Sequence, residues 1–169
     1  MTGAPEPGRT ASYLTFELGT ATPTAPIAYA LDIASVLQVV EPEPVAPVPL
    51  APAAILGIMS YHGRIVTLFD PAPLLGLEAQ KQSLTQVVLL RQRRTSTGTL
   101  GMKVKRASEI LLTQALGAPR AEPGSCTLFV GELSGRAVHV LDAEALVDAL
   151  TQTFAPLSPA THAKEHTDE

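Results

Sequence analysis

Residues 55–70 read ILGIMSYHGRIVTLFD. Two apolar runs, 55–61 and 64–70, flank the pair His62-Gly63. Runs of this length, rich in Ile, Val, Leu and Phe, are strand signals, and a glycine between them supplies the positive φ that a tight hairpin turn needs. The stretch predicts an antiparallel hairpin, with a short helical turn after it over 71–77. The pattern returns 72 residues downstream. Gly63-Arg64-Ile65-Val66 leads to Asp70 and then to Leu74-Leu75, while Gly135-Arg136-Ala137-Val138 leads to Asp142 and then to Leu146-Val147. Ala34-Ser35 and Ala107-Ser108 recur at a spacing of 73. One unit of this size buries too little surface to stand alone, so the copies are expected to pack against each other as two lobes.

Working outward, residues 126–133 and 136–141 predict a second hairpin turning at Ser134-Gly135, and 86–92 with 99–105 predict a third around residues 95–98. A helix is expected after Asp142, whose side chain is an N-cap, with Glu144 favourable to the helix dipole and Leu146, Val147 and Leu150 on one apolar face. Leu14, Phe16 and Leu18 alternate with polar residues, the pattern of a half-buried strand, and 28–32 reads as a second strand. In 33–40 the spacing of Ile33, Val36, Leu37 and Val40 predicts a short helix capped by Asp32, with a strand left open by the β-branched content. Residues 41–54 (EPEPVAPVPLAPAA) hold five prolines, which cannot donate to a ladder; the stretch is expected to lie extended on a lobe surface. Residues 1–11 and 154–169 read as tails.

Composition limits the function classes. Of 169 residues 46% are hydrophobic, which excludes a wholly disordered chain, and the net charge of −4 argues against nucleic acid as a partner. The one cysteine, Cys126, closes no internal disulfide, and no apolar run reaches the ~18 residues of a membrane span. The N-terminal residues lack a secretory pattern. A cytoplasmic protein without direct membrane insertion is expected.

The chemistry-bearing residues are sparse. There is no G-x-S-x-G, Walker loop, G-x-G-x-x-G or HExxH. Gly124-Ser125-Cys126 reads as a turn entering a strand with a buried thiol rather than a nucleophile. His162 and His166 stand four apart without a third ligand in nearby sequence, so no metal site is expected. His139, within an apolar strand, reads as structural. No catalytic residue and no cofactor are assigned. Arg91, Arg93, Arg94, Lys103, Lys105 and Arg106 hold half of the 12 Lys and Arg residues, with no Asp or Glu between them. They read as a solvated strand edge or as a patch for an acidic protein partner.

Residues 13–19 (YLTFELG), 29–33 (YALDI), 55–70 and 135–147 (GRAVHVLDAEALV), in this order and spacing, resemble the CheW family over residues 12–150. The resemblance implies a mainly β fold: two SH3-like five-stranded β-barrel lobes with short capping helices and a groove between them. The domain is expected over 12–153, with lobe one about 20–84 and lobe two about 85–153, the N-terminal strand being shared. The implied role is non-catalytic: an adaptor coupling methyl-accepting chemoreceptors, through their cytoplasmic tip, to the regulatory domain of a CheA-type histidine kinase, at membrane-associated receptor arrays.

By the same resemblance Val36 and Gln38 fall on the first-lobe helix facing the receptor, Val87 and Ala107 on the second-lobe side of that groove, and His62 beside it. Gly57 and Gly63 match the family's close-packing and turn glycines, and with Ile65 fall toward the kinase. The family typically reads Asn-Leu-Arg-Gly where this chain has Ser60-Tyr61-His62-Gly63, and often has Asp where this chain has Lys105. Exchanging a fixed five-donor cation for an imidazole changes what that turn can bind. An adaptor keeping only one of its two partners, in a motility-regulating pathway, is the alternative reading; a small-molecule-binding β-barrel protein or enzyme is a further one.

Overall fold

The structure, a computed structural model, describes residues 11–18, 28–78, 85–91, 98–116 and 126–154. The expected tails, the turn of the third hairpin, and His162 and His166 lie outside them, apart from Ala11, Gly98 and Phe154.

Among the described residues ten strands and one α-helix succeed one another: β1 (Ser12–Glu17), β2 (Ala28–Asp32), β3 (Val36–Val40), β4 (Ile55–Tyr61), β5 (Arg64–Phe69), β6 (Gln86–Leu90), β7 (Thr99–Val104), β8 (Arg106–Leu112), β9 (Thr127–Leu133), β10 (Arg136–Leu141) and α1 (Ala143–Gln152). They form two five-stranded sheets, β8-β1-β2-β10-β9 and β3-β6-β7-β5-β4. The mainly β, two-lobed expectation holds, and the hairpins β4-β5, β6-β7 and β9-β10 pair antiparallel.

The division of the chain differs from the expected boundary at 84/85. Strands β6 and β7 join β3, β4 and β5, while β1 and β2 join β8, β9 and β10. Each repeat therefore lends its two leading strands to the sheet of the other. The joints are parallel: β2 beside β10 and β5 beside β7. Hairpin signals in a sequence are local, and these parallel pairings connect distant segments, so a boundary drawn between hairpins misses the exchange.

The internal repeat is real in backbone detail. His62 and Gly63 have φ of 49° and 73°, Ser134 and Gly135 of 50° and 77°. Two consecutive positive values define the type I′ turn that fits the right-handed strand twist. After each hairpin an aspartate closes a matching bond: Asp70 N–H donates to the Ala54 carbonyl and Asp142 N–H to the Cys126 carbonyl, both at 2.8 Å. Each aspartate then caps the turn that begins after it. Asp70 Oδ1 accepts from Ala72 N–H at 2.9 Å, and Asp142 Oδ1 accepts from Glu144 and Ala145 N–H at 2.9 and 3.2 Å. The outcomes differ because Pro73 opens and Gly76 (φ 69°) closes a single 3-10 turn, Pro73–Leu75, whereas 143–152 contains neither residue and continues as α1.

Three apolar clusters result. With the lobes numbered by the strand that leads each sheet along the chain, Tyr13, Ala30, Leu111, Phe129, Val138 and Val140 fill the first lobe, built on β8-β1-β2-β10-β9, and Val40, Met59, Val66, Leu68, Val87 and Leu89 the second, built on β3-β6-β7-β5-β4. A central cluster joins the lobes: Leu14, Phe16 and Leu31 from one sheet, Phe69, Val88, Leu90 and Met102 from the other, with Leu146 and Leu150 of α1. Strands β1 and β6 are thus buried on both faces, and Tyr13, Leu14, Thr15 and Phe16 are all inaccessible. β1 is not the half-buried strand its alternation suggests.

Two further expectations change. Residues 33–40 are one 3-10 turn, Ile33–Ser35, leading into strand β3, because pairing with β6 draws Val36–Val40 into the sheet. Asp32 does cap the turn, accepting from Ala34 N–H at 2.8 Å. Strand β8 has no forecast in the sequence; its polar start at 106–109 hides it.

The proline-rich stretch lies along β4 as expected. Ala46 exchanges two 2.8 Å bonds with Ile58, so the segment shields part of that sheet edge.

Candidate functional site

The two lobes connect through two crossings. At the first, β2 passes through Ile33–Ser35 into β3. At the second, β7 passes through Lys105 into β8. Both are laced by polar contacts. Arg91 N–H donates to the Ser35 carbonyl (2.8 Å), Lys105 N–H to the Glu17 carbonyl (2.9 Å), and Ala107 N–H to Gln86 Oε1 (2.7 Å). Lys105 Nζ lies 3.4 Å from the Glu17 carboxylate. These bonds fix the lobes' mutual placement at the seam where a groove is expected.

Around the seam stand large apolar side chains that the core does not cover. Ile33 and Leu37 are 37% and 49% exposed, and Ile110 and Leu112 on β8 59% and 48%. The register sets Ile110 and Leu112 on one side of β1 and Asp32, which leads into Ile33, on the other. Ser12 at the start of β1 lies opposite Leu112, and its neighbour Tyr13 opposite Asp32, the residue before Ile33. A preformed seam edged with four uncovered aliphatic residues has the makings of a protein-docking surface.

The residues assigned to the receptor side divide. Val36 is buried in the central cluster, and Ala107, half-buried, packs against the same cluster. Val36 sits on strand β3, not on the expected helix, and Ala107 on β8. Gln38 is exposed on β3. Val87 is fully buried inside the second lobe, among Val40, Leu68 and Leu89, because β6 alternates and sends Val88 and Leu90 to the central cluster instead. Val87 therefore shapes the lobe rather than offering a surface. His62 is exposed in the β4-β5 turn, with its ring edge-on to Tyr61 at 4.3 Å between centroids. The exposed members Ile33, Leu37, Ile110 and Leu112 carry no signal of their own in the sequence. Leu37 reads as core in a helical register, and only the strand exposes it.

At the other end of the second lobe, Ile65 is 61% exposed, opposite Ser60, two residues past the Gly63 turn. Gly57 is buried, at φ 146°, directly beneath Val45 and Ala46. Its missing side chain lets the proline-rich segment approach β4, so Gly57 presents nothing to a partner.

The basic group also disperses. Lys103 Nζ meets Asp70 Oδ2 at 3.3 Å with both side chains nearly buried, and Lys105 pairs with Glu17. Arg91, just past the end of β6, and Arg106, at the start of β8, are exposed beside different sheets, and Arg93 and Arg94 lie outside the described residues. Among the described residues, then, no single hairpin carries a basic patch, because alternation along β7 turns Lys103 inward.

Cys126 is a buried thiol with its pKa pushed up by burial and, secondarily, by the Asp142 carboxylate. A raised pKa disfavours the nucleophilic thiolate. Among the described residues no group of three or more His, Cys, Asp or Glu is placed to hold a metal ion, and no helix is long and apolar enough to cross a membrane.

Comparison with known proteins places this architecture. The profile of the CheW-like domain family matches residues 12–151. The chain is similar to the chemotaxis protein CheW of Thermotoga maritima, 23% identical over 125 residues that span 73% of this chain and 83% of that protein. Its fold is similar to the crystal structure of the scaffolding protein TtCheW from Thermoanaerobacter tengcongensis, with a TM-score of 0.65 at 17% identity, covering 82% of this chain and 92% of that one.

Proposed function

The chain belongs to the CheW-like domain family, whose members are non-catalytic chemotaxis scaffolds, and from that membership we propose that it couples chemoreceptors to a CheA-type histidine kinase. The observation that carries the reading is the family match over residues 12–151. The exposed aliphatic seam suits it: a helical hairpin such as a receptor tip presents an apolar stripe, and a rigid groove receives it at little entropic cost. On this reading Ile33, Leu37, Gln38, Ile110 and Leu112 face the receptor, with Val36 and Ala107 supporting them from below, and Ile65 at the far end of the second lobe faces the kinase regulatory domain. The site of action is then cytoplasmic, at receptor arrays.

Calorimetry with a kinase regulatory domain and a receptor-tip fragment from the same organism tests this. Leu37→Asp and Ile110→Asp, both at exposed positions, are expected to weaken receptor binding by ten-fold or more and leave kinase binding intact; Ile65→Asp is expected to do the reverse. Receptor binding unchanged by both seam substitutions overturns the seam assignment. A second reading, a scaffold that retains one partner, draws on the exposed His62 in place of the family's arginine. Comparable affinity for kinase and receptor excludes it.

A further inference from the structure

Leu50 is 95% exposed and has a φ of 58°. An exposed leucine is common, but a leucine at positive φ is rare, and the two together ask for a cause outside the fold. Ala51 N–H bonds the Val48 carbonyl at 3.3 Å, which makes 48–51 a β-turn with Pro49 and Leu50 at its centre. Proline cannot take positive φ, so the turn is type II, and its third position favours glycine or asparagine. A leucine there is held in a left-handed conformation that its Cβ disfavours, and the fold gains no packing from it. Glycine or asparagine would make the same turn with less strain.

The surroundings extend the feature. Pro47, Val48 and Pro49 are exposed beside Leu50, and Val48 is 40% accessible. The prolines restrict this ridge before any partner arrives, and the Ala46–Ile58 pair anchors it to β4. Glu41 and Glu43 are the only charged residues from 41 to 63. The ridge is therefore apolar and rigid, and the charge that flanks it in sequence is negative. It sits at the Ile55 end of β4, and Ile65, opposite Ser60, lies near the other end. A seven-residue strand is roughly 20 Å long at about 3.4 Å per residue, within reach of an interface of about 800 Å² per side.

We propose that the 47–50 ridge is a second contact for the partner that covers Ile65, with Leu50 and its flanking prolines entering an aromatic-lined apolar pocket rimmed by Lys or Arg on the kinase regulatory domain. The inference rests on the reading of Ile65 as kinase-facing. Aromatic grooves take preformed proline-rich segments because little conformational freedom is left to lose, and a basic rim complements Glu41 and Glu43.

The test uses the full chain and the purified kinase regulatory domain. Leu50→Gly keeps the turn and removes the side chain, Leu50→Asp keeps the length and removes the apolar surface, and Ile65→Asp is the control for the underlying site. Both Leu50 variants are expected to melt at or above the wild-type temperature and to bind the kinase domain at least ten-fold more weakly, with receptor-tip binding unchanged. Kinase binding abolished by Ile65→Asp but untouched by both Leu50 variants overturns the ridge and leaves the coupling function standing. Wild-type chain that fails to bind the kinase domain overturns both. Self-association of the wild-type chain in sedimentation, lost in Leu50→Gly while kinase binding persists, assigns the ridge to a second copy and overturns the occupant proposed.

Discussion

Replacing Gly57 by alanine tests the packing of the proline-rich segment on β4. An added Cβ would fall inside van der Waals contact of the Ala46 carbonyl oxygen, 2.6 Å from Val45 Cγ1 and 3.1 Å from the Ala46 carbonyl carbon. The first contact is with backbone and has no rotamer to escape through. The φ of 146° adds strain for any residue with a Cβ, of the order of 1 kcal/mol. Relief requires the segment to lift, which breaks the Ala46–Ile58 pair of hydrogen bonds, about 1 kcal/mol each, and exposes part of Val45, worth about another 0.5–1 kcal/mol. The expected loss is roughly 3.5–4 kcal/mol, a large share of a typical 5–15 kcal/mol stability. Urea denaturation measures it, and hydrogen exchange at the Ile58 amide locates it, since that N–H bonds the Ala46 carbonyl at 2.8 Å. Trimming the side chain with Val45→Ala does not rescue Gly57→Ala, because the carbonyl of Ala46 stays. A Gly57→Ala loss below 1 kcal/mol, or full rescue by Val45→Ala, refutes the reasoning.

Four other outcomes are expected from the same geometry. In Gly101→Ala the new methyl meets Leu68 Cδ2 and Val87 Cγ1 at 2.7 Å inside the second lobe, so a loss of about 1–3 kcal/mol is expected, partly recovered by Val87→Ala; a neutral effect on thermal unfolding shows the lobe to be loosely packed. Asp70→Asn keeps the acceptor for Ala72 but removes the carboxylate beside nearly buried Lys103, with an expected cost of about 2–4 kcal/mol that shrinks in the Asp70→Asn/Lys103→Met double variant; additive losses would argue against coupling. The Cys126 thiol is expected to resist Ellman's reagent until the chain unfolds, and rapid reaction of the native protein would contradict its burial. Burial raises the pKa of Tyr13 and Tyr29 above the ordinary 10.0, so each binds its proton more tightly folded than unfolded; their stabilising contribution is complete below pH 10 and is lost as pH rises through the folded values, visible as phenolate absorbance that appears later in the native than in the denatured protein.

The legible parts of the sequence are those whose causes are local. His62-Gly63 and Ser134-Gly135 announce their hairpins because positive φ has few suppliers, and Asp142 announces α1 because a capping carboxylate acts within one turn. The misread parts depend on distant partners. Ile33, Val36, Leu37 and Val40 fit a helix until β6 claims β3, and that one change turns Leu37 from core to surface. Lys103 looks like part of an exposed cluster until β5 and β7 lie parallel and bring Asp70 beside it. Val87 looks like a groove residue by family resemblance, yet strand alternation points it into the lobe. The seam is hardest to foresee, since only β1, pairing with both β8 and β2, relates Leu112 to Ile33.

The reciprocal loan of leading strands has a consequence for how such a chain arises. A single repeat, with two strands that complete another repeat's sheet, is half of a closed exchange, and two identical repeats related by a two-fold axis would complete each other as a homodimer. Joining two such repeats in one polypeptide replaces a concentration-dependent association with an intramolecular one, at an effective concentration of about millimolar for a short connection. Fusion also frees the two halves to diverge. In this chain the two halves differ, with a helix after Asp142 and a proline-opened single turn after Asp70. A strict homodimer presents two equal ends; the two halves of this chain present unequal ones.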